Sequence, residues 1–158
     1  MLKVKLTLMF VCQYMVLNVI AKEDQHINWN DAELAWFSYQ EGIDELKKNK
    51  GVGLFIIYAD WCPTCKAYSK LFKNPAVVKS LQGITLIRAN MDNEPLINEQ
   101  YNRDGKYVPR TFALDNSGQL IKPLHPDKQR YDYFLPVEKP RYVVNFATQL
   151  KAYHDNRR

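Results

Sequence analysis

One stretch constrains this chain more than any other: Leu54-Phe55-Ile56-Ile57-Tyr58-Ala59-Asp60-Trp61-Cys62-Pro63-Thr64-Cys65-Lys66. Gly51 and Gly53 break what precedes it, and the apolar run "LFIIY" reads as a strand buried on both faces. Two cysteines, two residues apart, follow at once. Residues 62 to about 73 have helical spacing, with Cys65, Tyr68, Ser69 and Phe72 on one side. Pro63 suits a first helical turn, where its missing N–H costs nothing. The thiols therefore stand at a strand-to-helix junction, where open α/β sheets place their chemistry.

A CxxC pair can be a staple, part of a metal site or a reversible redox couple. A staple across two residues closes so small a loop that cross-linking gains little entropy. A structural zinc site normally takes four ligands, and His26, His125 and His154 have no motif spacing to the thiols. Reversible exchange suits the position best. A sulfur at a helix N-terminus faces unpaired backbone N–H groups and the positive end of the helix dipole, and both favour a thiolate. Cys62 is thus the expected nucleophile with a lowered pKa. Cys65, one turn further in, is the expected resolving thiol, able to attack a mixed disulfide and release the partner.

The 158 residues suggest one domain, and 46% hydrophobic residues can build a core without disulfides. A 25% charged fraction argues against disorder. The net charge is +5, but no basic run interleaved with aromatics appears, so nucleic acid is not the expected partner. Residues 1–21 read as a secretory signal: Lys3 and Lys5 form a positive start, Leu6 to Ile20 is mostly apolar, and Val19-Ile20-Ala21 offers a cleavage site. The stretch is short for a membrane span, an uncleaved anchor being the alternative. Cleavage removes Cys12, leaves residues 22–158 as a single domain and implies no stable membrane insertion. Oxidising compartments let disulfides persist. The ending "HDNRR" lacks an endoplasmic-reticulum retention signal, which makes a periplasmic or secreted location the expectation and the endoplasmic-reticulum lumen the alternative.

Along the chain, Asn30 or Asp31 is expected to cap a helix over Asp31 to Lys48, with Trp36, Tyr39, Ile43 and Leu46 inward. Asn74-Pro75 reads as cap and first turn of "PAVVKSLQ". "ITLIRANM" is a second strand, "EPLINEQYN" a short helix, and "YVPRTFALD" a third strand entered through Pro109. "DNSG" signals a hairpin, with "QLIK" as the antiparallel partner. A Pro- and Tyr-rich connection leads to a closing helix over residues 141 to 153, with Val144, Phe146, Ala147 and Leu150 inward. The sum is an α/β chain with a central mixed β-sheet flanked by helices.

"YADWCPTCK" after its apolar strand resembles the thioredoxin superfamily. With "NPAVVKSL" and "LIRANMD" it is especially similar to the C-terminal thioredoxin-like domain of bacterial thiol:disulfide interchange proteins. "SYQEGIDELKKNK", "DGKYVPRTFALDNSG" and "YDYFLP" resemble the small endoplasmic-reticulum thioredoxin-domain proteins, including the anterior gradient group. The resemblance runs from about Ile27 to Tyr153. It implies a thioredoxin fold, a nucleophilic Cys62 and a resolving Cys65. It further implies a cis Val108-Pro109 peptide facing the thiols, with the Val108 backbone pairing an extended substrate segment and Pro109 helping to keep metal off the sulfurs. Trp61 is expected to shield the pair. One departure stands out. Many thioredoxins carry a buried acid six residues before the first cysteine, and this chain has Ile56 there. Asp60 and Lys66 read as surface charges, and Arg110 as facing solvent or substrate.

The expectation is an exported protein-disulfide oxidoreductase, reductase favoured over oxidase or isomerase, with no cofactor beyond its own thiols. Its partners are cysteine-containing proteins and a redox donor or acceptor. The rivals are a chaperone-like binding module using Tyr131, Tyr133 and Phe134, and delivery of reductant or copper to a dedicated metalloprotein.

Overall fold

The computed structural model describes residues 26–124 and 131–157. The expected signal segment with Cys12, and His125, lie outside the described residues. In chain order the elements are β1 (Trp36–Phe37), α1 (Tyr39–Asn49), β2 (Gly53–Tyr58), α2 (Pro63–Leu71), α3 (Pro75–Leu81), β3 (Thr85–Asn90), α4 (Pro95–Gln100), β4 (Arg110–Leu114) and α5 (Pro140–Asp155). The strands form one four-stranded mixed sheet in the order β1-β3-β2-β4. β1 and β2 run parallel to β3, and β4 runs antiparallel to β2.

All six residues of β2 are buried, because successive side chains of a central strand enter opposite layers. Leu54, Ile56 and Tyr58 join the layer built with Tyr68, Phe72, Val77, Leu81, Val143, Phe146 and Leu150 from α2, α3 and α5. Phe55 and Ile57 join Ile43, Leu46, Ile87, Tyr101 and Phe112 on the α1 side. The expected mixed sheet with helices on both faces is thus observed.

Three local expectations are corrected. The first helix begins at Tyr39, not near Asp31: Ser38 caps it, with the Glu41 carboxylate accepting from the Ser38 N–H at 3.2 Å and from its hydroxyl at 2.7 Å. Upstream, Trp36 is in β1, paired with Leu86, and its ring packs edge-on against Trp29 and Phe72 at 5.9 and 5.3 Å. Its indole N–H donates to the Trp29 carbonyl at 2.9 Å. A helical period had linked residues that a strand and a helix actually share. Second, "QLIK" forms no full strand. The Asp115–Gly118 turn closes as expected, but pairing stops at a Leu114–Leu120 bridge and an Ile121 N–H to Ala113 carbonyl bond of 2.8 Å. Pro123 can donate nothing to a longer ladder, and the Tyr133 carbonyl instead takes the Thr111 N–H at 2.7 Å. Third, α5 turns Val143 inward with Phe146, Ala147 and Leu150, while Val144 is half-buried.

Gly42 of α1 packs directly against Ile87 of β3. A Cβ there would overlap Ile87 Cγ1 and stand 2.6 Å from Ile87 Cδ1. Alanine would gain about 1 kcal/mol of helix propensity, but forcing a methyl into a packed layer costs roughly 1–3 kcal/mol. Gly42→Ala is therefore expected to lower the urea midpoint with an unchanged m-value; a raised midpoint would show that the helix can shift freely.

Candidate active site

The end of β2 and the start of α2 bring the two cysteines together. Cys62 is the N-cap residue, with φ −77° and ψ 115°, and its Sγ accepts the Cys65 N–H at 3.1 Å. That N–H is one of the first-turn donors that no helical carbonyl can reach. Both thiols are free, Cys62 4% exposed and Cys65 fully buried. Burial first, and then its hydrogen bond with Cys62, pushes the Cys65 thiol far above the ordinary cysteine range. Cys62 is thus the sulfur at the rim and Cys65 the one held protonated inside.

Across from Cys62 runs the segment that enters β4. The Val108-Pro109 peptide is cis. The Cys62 thiol points at the Val108 carbonyl, 3.6 Å away. The Val108 N–H makes no hydrogen bond among the described residues. Val108 is half-buried and Pro109 buried. Cys62, Cys65, Val108 and Pro109 are therefore gathered at one end of the sheet.

Trp61, expected to shield the pair, stands largely in solvent. It is 61% exposed, and its indole N–H donates to Asp92 at 2.7 Å. What removes Cys65 from water is the apolar layer behind it, which includes Ile56, Tyr58, Ala59, Tyr68 and Phe72. Ile56 is fully buried in that layer, so the position of the missing acid is filled by hydrocarbon.

Asp60 is more than a surface charge. Its carboxylate accepts the Ile27 N–H at 2.9 Å and the Asn90 side-chain amide at 2.7 Å, with His26 Nδ1 at 3.2 Å. It ties the chain entering the domain, the end of β3 and the turn before Cys62 to one another. Arg110 faces neither solvent nor substrate but is fully buried. Its guanidinium donates to the carbonyls of Tyr101 and Gly105, each at 3.1 Å, and to Asn98 Oδ1. Sequence reasoning assigned no role to Asn98 or Asn90. A charged residue inside the apolar run "VPRTFAL" was the available signal, since a strand that buries its neighbours leaves such a group needing partners.

The aromatic segment of the binding-module reading is packed onto the domain. Tyr133 is buried with its ring 4.5 Å from that of Phe112, and Tyr131 stacks on Tyr107 at 4.3 Å.

No family model matches the chain. Residue by residue it is 29% identical to a thioredoxin of Chlamydia trachomatis over 82 residues, covering 46% of this chain and 78% of that one. It is 34% identical to the thiol:disulfide interchange protein DsbD of Haemophilus influenzae over 77 residues, 45% of this chain and 13% of that one. It is 28% identical to anterior gradient protein 3 of Xenopus tropicalis over 88 residues, 55% of this chain and 52% of that one. The chain thus spans a small part of the interchange protein and about half of the anterior gradient protein. Among solved structures, a disulphide isomerase of Xylella fastidiosa superposes with a TM-score of 0.56 at 15% identity, covering 85% of this chain and 98% of that one, a likeness of fold. A mixed sheet flanked by helices, a CxxC at the strand-to-helix junction and these relatives together support assignment of the chain to the thioredoxin superfamily.

Proposed function

We propose that this chain is an exported thiol–disulfide oxidoreductase that reduces disulfides in cysteine-containing proteins. The observation that carries the reading is the placement of Cys62: a sulfur at the start of α2, accepting a first-turn N–H at 3.1 Å, beside the Val108 backbone. The likeness to a thiol:disulfide interchange protein over 77 residues supports thiol–disulfide exchange as the chemistry. The apolar amino-terminal stretch after Lys3 and Lys5 supports export to a periplasmic or extracellular space.

The cycle needs no group beyond the two thiols and a partner dithiol. Cys62, as thiolate, attacks one sulfur of the substrate disulfide; the Cys62–substrate bond forms, the substrate S–S bond breaks, and the leaving thiolate takes a proton. Cys65 then gives up its proton and attacks Cys62 Sγ. The Cys62–Cys65 disulfide forms and the second substrate thiol leaves. Two electrons have passed to the substrate, and a dithiol protein of lower potential returns them. An extended substrate segment can pair with the Val108 N–H, which makes no hydrogen bond among the described residues, and with its carbonyl, with Trp61 and Pro109 lining the approach.

The second step is the one expected to limit the cycle. Cys65 must lose its proton inside hydrocarbon, and no acid stands at position 56 to take it. Ile56→Asp is expected to speed mixed-disulfide resolution by about tenfold, less than the roughly 100-fold of a well-placed general base. The buried carboxylate will also lower the denaturation midpoint. An unchanged resolution rate in stopped-flow quenching would remove proton transfer as the bottleneck.

Limited alkylation of the reduced protein at neutral pH is expected to modify Cys62 and spare Cys65 until denaturant is added, read by peptide mass. Cys62→Ser is expected to abolish insulin-disulfide reduction, and Cys65→Ala to trap mixed disulfides. Reduction that survives Cys62→Ser intact would defeat the enzymatic reading in favour of a binding module. For export, expression of the full chain in a Gram-negative host is expected to yield a periplasmic species beginning at Lys22; a species retaining Met1 in the cytosol would refute it.

A further inference from the structure

Arg110 directly follows Pro109 and is the only charged side chain buried to zero exposure among the described residues. It forms no ion pair within salt-bridge distance there. A guanidinium is planar, and its N–H groups form a fixed fork. Nη1 holds two carbonyls at once, that of Tyr101 at the end of α4 and that of Gly105, both at 3.1 Å. Gly105 has φ +127°, a region that side chains other than glycine's rarely adopt, and there its carbonyl reaches the guanidinium. Nη2 reaches back to Asn98 Oδ1 on α4, and the charge lies 5.9 Å from the Phe112 ring centre.

A second set of bonds continues the same construction. Asp104 Oδ2 accepts the Tyr107 hydroxyl at 2.5 Å and the Asp132 N–H at 2.8 Å, and the Tyr107 hydroxyl accepts the Tyr133 N–H at 3.1 Å. Residues 98 to 107 are thereby fixed from behind on one side of Val108. On the other side Arg110 itself is registered in the sheet opposite Ile57. Val108 stands between two anchored segments, with its N–H making no hydrogen bond among the described residues and its carbonyl 3.6 Å from the Cys62 sulfur.

We propose that Arg110 and Asn98 are positioning residues for the backbone edge at Val108. By setting where that edge lies they decide how well an extended peptide, as opposed to a small disulfide, is presented to Cys62. The proposal rests on the oxidoreductase reading above and adds to it the residues that give preference for polypeptide substrates. Burying a guanidinium merely to fill space is costly compared with an apolar side chain of similar volume. Bonds to two carbonyls of one loop and to the helix before it give the charge a directional task that packing alone does not need.

The test uses the full chain and three variants, Asn98→Ala, Asn98→Asp and Arg110→Lys. Each is assayed against insulin and against 5,5′-dithiobis(2-nitrobenzoate), which has no backbone to pair. Asn98→Ala removes the acceptor for Nη2, Asn98→Asp keeps one, and Arg110→Lys keeps the charge but loses the fork. Asn98→Ala and Arg110→Lys are expected to lower kcat/KM for insulin by about tenfold, the scale of a small misplacement at a binding edge, mostly through KM. Their rates with the small disulfide should stay within about twofold of wild type, as should those of Asn98→Asp with both. Equal losses on both disulfides, or no loss on insulin in any variant that folds by circular dichroism, would overturn the inference while leaving the enzymatic reading intact. If Arg110→Lys fails to fold, the Asn98 pair decides alone. A wild-type chain inert toward both disulfides would instead overturn the enzymatic reading, and this inference with it.

Discussion

Everything in this domain hangs on β2. A strand that sheds water on both faces can be satisfied only at the centre of a sheet with a layer on each side, and Gly53–Tyr58 is buried throughout. β3 and β4 supply the hydrogen-bond partners along its two edges. Leu54, Ile56 and Tyr58 call for one apolar layer, and Phe55 and Ile57 for the other. Once that strand is fixed, its C-terminal end fixes the turn Ala59–Trp61, and the first turn of α2 must begin there. The sulfur of Cys62 therefore meets backbone donors whose direction the sheet decides.

The same layers set the division of labour between the thiols. Two sulfurs three residues apart on one helical turn differ by one step in depth, and one step carries Cys65 from the rim into the layer of Ile56, Tyr68 and Phe72. Desolvation there favours the neutral thiol. Just upstream, the Asp60 carboxylate is engaged by Ile27, Asn90 and His26 and holds the turn that leads into Cys62.

Polar groups inside this molecule behave differently from one another for a physical reason. Tyr68 is fully buried and needs one partner, which Thr111 supplies at 3.0 Å. Arg110 needs several, and it finds them in carbonyls and an amide rather than in a carboxylate. Burial pulls its guanidinium below the ordinary value, with the charges of Tyr107, Asp104 and Glu99 acting in the opposite sense. A neutral set of acceptors still orders the loop that carries them, since each bond fixes a carbonyl direction. The loop before the Val108-Pro109 peptide owes its path to that arrangement.

Much of this was readable in advance. The run "LFIIY", its glycines and the CxxC spacing determined the central strand, the junction and the depth order of the two sulfurs, because period and burial are local consequences of side-chain chemistry. Asn74-Pro75 and the α5 apolar stripe were legible for the same reason, apart from a one-residue choice between Val143 and Val144. The tertiary structure alone decided the rest. Trp36 belongs to β1 because Leu86 lies beside it and Ser38 with Glu41 starts the helix later. Trp61 stands in solvent because Asp92, 31 residues away, holds its indole. Asp60 and Arg110 find partners 30 or more and 5 to 12 residues distant. A sequence states which groups need partners; only the folded chain brings those partners within hydrogen-bonding reach, since that depends on distances no local pattern encodes.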